Sequence, residues 1–341
     1  MNTLRLGRHV AAVVALVAMA ATSACGSSAD GSSSGKDSSL TVGLSYIGTV
    51  EHYGPYYAEE EGLYRKAGLS VKVEPGSDTH PATLLEAGRI DIGVMDAPDL
   101  LQFVEKGADL VAIATEFQSA PLAMICRQDS GVTSMSELQG HRLGLKTYSR
   151  PYLSLVAHAA HAKPSDLDIV PVGNADVSTI IAGKVDCIFA TYAFNEPRAI
   201  EAQGVKVNVI TLADMGLPAQ GNVYVVTRKT LEKRRADLVA WVKATADAWS
   251  TFLDDPDAAA TYMVDKQFTT GLEIGQQKYQ ATAQVPYLNT TWTAEHGLLA
   301  LNPEAWKQTS EVAAAEGLTT KAVDPAPLLD DLTAAAGTPK R

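Results

Sequence analysis

The chain has 341 residues, 46 % of them hydrophobic, and a formal net charge of −11. That length supports two ordinary domains with full cores. An acidic chain without a basic run excludes nucleic acid as the main partner, and equally a peripheral membrane protein held by a basic surface.

Arg5 and Arg8 precede the apolar run Val10 to Ala21, which ends in Thr22-Ser23-Ala24-Cys25-Gly26. A basic start, an apolar middle and small residues before the cut make residues 1–24 a secretory signal peptide. The run is too short to span a bilayer comfortably. Ser-Ala-Cys-Gly resembles a bacterial lipobox, in which the cysteine becomes the lipidated first residue, although Thr22 stands where an aliphatic residue is usual. Cys25 is therefore the expected lipidation site; the other reading is a plain signal peptide with a coincidental cysteine. Residues 25–39 are almost entirely Gly, Ser, Ala, Asp and Lys, a tract that cannot bury apolar surface and serves as a flexible tether. Beyond Cys25 only Cys126 and Cys187 remain, and outside the cytosol they can pair.

From Leu40 strands and helices alternate. Strands are predicted at Leu40–Leu44, Ser70–Val73, Ile90–Met95 and Leu110–Thr115. Helices at Pro55–Ala67, Pro81–Ala87 and Pro98–Lys106 are each closed by a glycine: Gly68, Gly88 and Gly107. A second set starts near Pro121. Its strands are Leu122–Cys126, Arg142–Leu145, Asp168–Val172, Asp186–Ala190 and Val207–Ile210; its helices are Ser136–Leu138, Pro151–Ala162, Val177–Ala182 and Pro197–Gln203. Val223–Thr227 is a further strand. Such alternation means mostly parallel sheets covered by helices. Leu231–Leu253 then reads as one long amphipathic helix. More helices follow, with Pro256, Pro286 and Pro303 marking breaks, and the four tryptophans of this region pack it onto a lobe.

Two segments echo each other. Ala87-Gly88-Arg89-Ile90-Asp91 and Ala182-Gly183-Lys184-Val185-Asp186 each read as helix end, tight turn and buried strand. One echo is too few for a solenoid but fits two similar α/β lobes with a ligand cleft between them. Pro55, Pro81, Pro98, Pro151 and Pro197 open helices directly after strands or their loops. Ligands of open α/β sheets sit beyond the carboxyl ends of the strands, facing helix N-termini. Residues just before these prolines are therefore site candidates.

Glu51-His52-Tyr53-Gly54-Pro55-Tyr56-Tyr57-Ala58-Glu59-Glu60-Glu61-Gly62-Leu63, the two echoes and Ser136-Glu137-Leu138-Gln139-Gly140 together resemble the NMT1/THI5-like family, the sulfonate, nitrate and thiamine-precursor binding proteins of ABC importers. The resemblance covers about residues 40 to 250. It implies a type II periplasmic-binding fold: two α/β lobes with a cleft and a C-terminal helical region. Lobe 1 is expected to combine residues 40–120 and 223–341, and lobe 2 to hold residues 121–222. It also implies that the first strand after the crossover lies antiparallel beside the third strand of its lobe. Cys126 and Cys187 are then near neighbours, as a disulfide or as buried free thiols. Asn195-Glu196-Pro197 resembles the corresponding motif of members that bind the thiamine pyrimidine precursor or related heterocycles.

The expected ligand-binding residues are Tyr46, Glu51, His52, Tyr53, Asp96, Glu116, Thr147, Tyr148, Ser149, Tyr192, Asn195 and Glu196. Tyrosine faces suit planar rings, and carboxylates accept hydrogen bonds from amines while repelling anions. Glu196 is the expected ring-amine acceptor and Tyr192 the stacking face. Each has a plainer reading: rim packing for the tyrosines, helix capping for Asp96, surface charge for Glu196. Arg150 and His52 are the obvious positive candidates. No nucleophile elbow, Walker loop, HExxH or CxxC occurs, and no metal-ligand spacing. The cysteine-rich motif of the related yeast pyrimidine-making enzymes is missing too. The sequence reads as a monomeric extracytoplasmic lipoprotein on the outer face of the cytoplasmic membrane. It captures a small aromatic heterocycle for an ABC permease and needs no cofactor or metal. The alternatives are an anion-binding member of the same family, a pyrimidine-synthesis enzyme and a ligand-sensing ectodomain.

Overall fold

The computed structural model describes residues 38–341 except 147, 148, 150, 151, 174, 175 and 218. The signal peptide, Cys25, Thr147, Tyr148 and Arg150 thus lie outside the described residues. In chain order the elements are β1 (Ser38–Gly43), α1 (Tyr53–Glu60), α2 (Leu63–Lys66), β2 (Leu69–Glu74), α3 (Pro81–Glu86), β3 (Ile92–Met95), α4 (Ala97–Glu105) and β4 (Leu110–Phe117). Next come β5 (Leu122–Arg127), β6 (Arg142–Leu145), α5 (Leu153–Ala159), β7 (Asp168–Pro171), α6 (Asp176–Ile181), β8 (Cys187–Tyr192), α7 (Glu196–Glu201) and β9 (Val207–Thr211). The chain ends with β10 (Gly221–Thr227), α8 (Arg228–Asp254), α9 (Pro256–Lys266), α10 (Ile274–Leu288), α11 (Thr291–His296), α12 (Pro303–Ala315) and α13 (Thr333–Ala336).

Two five-stranded sheets result, ordered β2-β1-β3-β10-β4 and β7-β6-β8-β5-β9. In the first, β10 runs antiparallel between β3 and β4; in the second, β5 runs antiparallel between β8 and β9. Each lobe thus receives one strand that arrives by a crossover from the other. The crossovers are residues 118–121 and 212–220, and they touch where Ala120 N–H donates to Ala219 O at 2.5 Å.

The sequence echo has a mechanical cause. Asp91 Oδ2 accepts from Thr41 N–H and Asp186 Oδ2 from Arg142 N–H, both at 2.8 Å. The same aspartates return their own N–H groups to Thr41 O and Arg142 O. Each aspartate clasps the neighbouring parallel strand and pins its register, which otherwise rests on the hydrophobic pattern alone. Gly88 and Gly183 supply the left-handed residue (φ 64° and 67°) that ends the preceding helix.

Several boundaries differ from the sequence reading. β1 starts at Ser38, two residues inside the expected tether, because Ser38 and Ser39 pair with Leu69 and Ser70 of β2. Helix Pro55–Ala67 is two helices, parted at Gly62 with φ 70°. Pro286 does not break the chain but lies in the last turn of α10. β10 opens at Gly221 rather than Val223, which brings Asn222 into the first sheet.

The core of lobe 1 is aromatic. Trp241 and Trp249 of α8 are fully buried; Trp241 meets Tyr224 edge-on at 4.7 Å and Trp249 meets Phe252 at 5.2 Å. Each such ring contributes roughly 1.5–3 kcal/mol on burial. In lobe 2, Cys126 of β5 and Cys187 of β8 are directly paired across the strands and disulfide-bonded, with Cα atoms 4.0 Å apart.

Candidate functional site

A cleft between the two sheets is lined from lobe 1 by Ser45, Tyr46, Glu51, His80 and Asp96, and from lobe 2 by Lys146, Ala190, Tyr192, Asn195 and Glu196, among others. Its volume is about 130 Å³. The strand ends deliver these side chains: Asp96 follows β3, Lys146 follows β6, and Tyr192 closes β8. Ala190 sits where the β5–β8 register slips, between the pairs Phe189–Met124 and Thr191–Ala123, with φ 63°. Such a bulge re-aims the strand next to a site.

The floor is a buried network of acids around Asn222. The Asn222 amide Nδ2 donates to Glu51 Oε1 at 3.2 Å and to Glu116 Oε2 at 2.8 Å. Its Oδ1 accepts from Tyr192 OH at 3.1 Å and Ser45 OH at 3.3 Å, and its backbone N–H donates to Asp96 Oδ1 at 3.0 Å. Tyr224 OH donates to Glu116 Oε1. Asn222 holds φ 46°, a region that asparagine tolerates better than most residues.

Burial dominates the electrostatics. It pushes the Asp96 carboxyl up to about 7, with Asp99 adding to the rise, and Glu116 up to about 8. Glu196 rises to about 7, again mainly through burial, with Lys146 opposing. Glu51 goes well above the carboxylate range for the same reason. Burial pushes His52 down to about 3, so its ring is neutral. His52 Nε2 lies 3.3 Å from Glu51 Oε1, while Nδ1 is buried without a hydrogen-bond partner, 3.9 Å from Glu116 Oε2. On the opposite wall Lys146 Nζ pairs with Asp176 Oδ2 at 2.8 Å.

Tyr46, Glu51, Asp96, Tyr192, Asn195 and Glu196 line the cleft. His52 and Glu116 stand one layer behind and hold Glu51 and Asn222. The capping role for Asp96 is not observed: its side chain makes no cap bond to α4 and instead accepts from Asn222. Glu196 accepts from Tyr192 N–H at 2.8 Å and still faces the cavity. Tyr53 is a correction: it is buried against Trp249, Phe252, Tyr57 and Tyr262, because α1 begins there and turns the ring into the core. Ser149 is another: it is 1 % exposed, not on the cavity wall, and its hydroxyl has no partner among the described residues.

Sequence reasoning missed Asn222 and the Lys146–Asp176 pair. Lys146 had a signal, a lysine directly after a buried strand. Asn222 had none, because its partners come from distant parts of the chain. Lobe 2 also touches the C-terminal helices: Gln276 of α10 donates to Asn195 O and Oδ1, both at 2.9 Å, and Phe194 packs between Phe117 and Tyr287.

Two lobes of this strand order, joined by two crossovers around a polar cleft, define the type II periplasmic-binding fold. The chain belongs to the NMT1/THI5-like family, whose model matches residues 49–259. It is similar to the riboflavin-binding protein RibY of Chloroflexus aurantiacus, 25 % identical over 84 % of this chain and 83 % of that protein. It is also similar to the formylaminopyrimidine-binding protein of Halalkalibacterium halodurans, 21 % identical over 70 % of this chain and 73 % of that one. A pyrimidine phosphate synthase of Saccharomyces cerevisiae matches at 22 % over 71 % of this chain and 75 % of its own. The fold is shared with the periplasmic aliphatic sulphonate binding protein SsuA of Escherichia coli, at a TM-score of 0.63, 19 % identity, and coverage of 86 % and 92 %. Among the described residues no helix is long and apolar enough to cross a membrane, and no group of metal-ligating side chains is present.

Proposed function

We propose that the protein captures a small nitrogen heterocycle carrying an amino group, such as an aminopyrimidine precursor of thiamine. It presents this ligand to the permease of an ABC importer from the outer face of the cytoplasmic membrane, held there by lipid on Cys25. The observation that carries the reading is a one-ring cleft walled by buried hydrogen-bond acceptors. A volume of about 130 Å³ is close to that of an engineered cavity of about 150 Å³ that holds benzene, so it suits one ring rather than the three fused rings of a flavin. Asp96 and Glu196, whose carboxyls burial raises to about 7, accept hydrogen bonds and repel anions in their ionised form. That argues against sulfonate and nitrate although a sulphonate-binding protein shares the fold. Tyr46 and Tyr192 supply aromatic surface for a planar ring. The two binding-protein relatives support a binding role over the synthesis that the yeast relative's name describes.

The test is a thermal-shift screen of the mature protein against aminopyrimidines, riboflavin, alkanesulfonates and nitrate. A ligand present at about a hundred times its dissociation constant stabilises by about 2.7 kcal/mol. Aminopyrimidines are expected to raise the midpoint without being turned over. Stabilisation by sulfonate or nitrate alone contradicts the reading, and turnover of a pyrimidine precursor supports the enzyme.

A further inference from the structure

Asn222 does more than link the acids; it decides which of their oxygens face the ligand. Its Nδ2 binds Glu51 Oε1 and its backbone N–H binds Asp96 Oδ1. One oxygen of each of these two acids is thereby fixed as an acceptor from the protein. Glu51 Oε2 and Asp96 Oδ2 have no protein donor among the described residues, and neither is a buried unpartnered atom. Both acids line the cavity. A proton carried by either carboxyl therefore resides on the oxygen that faces the cleft.

We propose that protons and the ligand's amino hydrogens compete for Glu51 Oε2 and Asp96 Oδ2, so that binding expels protons from the cleft. The inference rests on the heterocycle reading above and specifies its chemistry. The ligand must offer N–H hydrogens from one edge, as an aromatic amino group does. A ring edge made of carbonyl oxygens meets either carboxylates or a single acidic hydrogen and binds worse. The proton balance is simple: the carboxyl O–H is replaced by an N–H···O contact, and the proton passes to the buffer.

The surroundings favour a stored proton over a counter-ion. Glu51 faces neutral His52 from its own turn, Glu116 from β4, Asp96 from the same lobe and Glu196 across the cleft. Asp96 faces Asp99 from its own helix, His80 from the turn before α3, and the phenols of Tyr152 and Tyr192. Lys146 stands on the far wall against Asp176. Like charges this close cannot all ionise together; burial puts the titration of Asp96 and Glu196 near neutral pH and lifts Glu51 well above the carboxylate range.

The experiment is calorimetric titration of 4-amino-2-methylpyrimidine into the mature protein near pH 7, in two buffers of different ionisation enthalpy. The probe's own titration is measured alone and subtracted. The expected result is release of about one proton per ligand, with affinity falling up to roughly tenfold per pH unit for each displaced proton as pH drops below the acids' range. Asp96→Asn abolishes part of the release. Asn222→Asp, which suits φ 46° but turns two donors into acceptors, shifts the pH profile of binding to higher pH. That shift separates orienting from merely structural support. The matching pyrimidinone is expected to bind at least tenfold more weakly than the amine. Binding without proton release, at an affinity flat across the window, overturns the inference and leaves the heterocycle reading standing. No binding of any aminopyrimidine overturns both.

Discussion

Glu116 offers the sharpest stability test, because it is buried and touches no part of the cavity wall. Its carboxyl is pushed up to about 8 from an ordinary 4.5 by burial. Between those values the folded protein holds a proton that the unfolded chain has lost. Its contribution to stability is thus full below about pH 4.5 and is lost as pH rises toward 8. One proton is worth about 1.4 kcal/mol per pH unit, and water entering the site on ionisation limits the total to about 3 kcal/mol. His52 acts in the opposite sense. Its folded value of about 3 lies below the free-imidazole value of about 6.5, so its contribution is lost as pH falls. The clean quantity is therefore the difference between wild type and Glu116→Gln, which keeps the shape and removes the ionisation. Urea unfolding at several pH values from about 5 to about 8 gives both curves. The wild type is expected to lose about 3 kcal/mol more than the variant as pH rises across this range. Parallel curves would refute the buried-proton account of the network.

Other outcomes follow from separate parts of the molecule. Thiol counting on denatured, unreduced protein is expected to find Cys126 and Cys187 blocked, and reduction should cost about 4 kcal/mol by loop-closure entropy for a separation of 61 residues; two free thiols from this pair contradict the bridge. Cys25→Ser is expected to release the mature protein into the soluble fraction, because buried acyl chains supply the anchoring energy; a wild-type protein already soluble with unmodified Cys25 rules the anchor out. Gly54→Ala places a Cβ 2.3 Å from Trp249 Nε1 and should cost about 1–3 kcal/mol, read by the unfolding midpoint; an unchanged midpoint contradicts the packing of α1 on α8. Tyr53→Ala should cost about 3–5 kcal/mol of stability, whereas Tyr46→Ala should leave stability nearly unchanged and weaken ligand binding; the reverse pattern would contradict their placement in core and cleft.

The alternation of strands and helices carried most of the architecture, since each element's period and its glycine stop are local properties. The family resemblance supplied the crossovers and the neighbouring of β5 and β8. Half-legible were the mouth residues. Glu51, Asp96, Tyr192 and Glu196 stand just past strands or before helix-opening residues, and that position alone put them at the cleft. Tyr53 shared the position and failed, because a helix starting at that residue rotates its ring onto Trp249. Asn222 was invisible for another reason. Its importance is the sum of contacts with Ser45, Glu51, Asp96, Glu116 and Tyr192, and those residues meet only after both crossovers are made.

The most direct test of the central claim is calorimetric titration of an aminopyrimidine thiamine precursor into wild type and Glu196→Gln. Glu196 faces the cavity and is held by Tyr192 N–H at 2.8 Å. Tight binding to the wild type is predicted, weaker by about 1.5–3 kcal/mol in the variant, the scale of a hydrogen bond to a charged group. Equal affinity in both proteins, or tight sulfonate binding with no response to pyrimidines, would contradict the account.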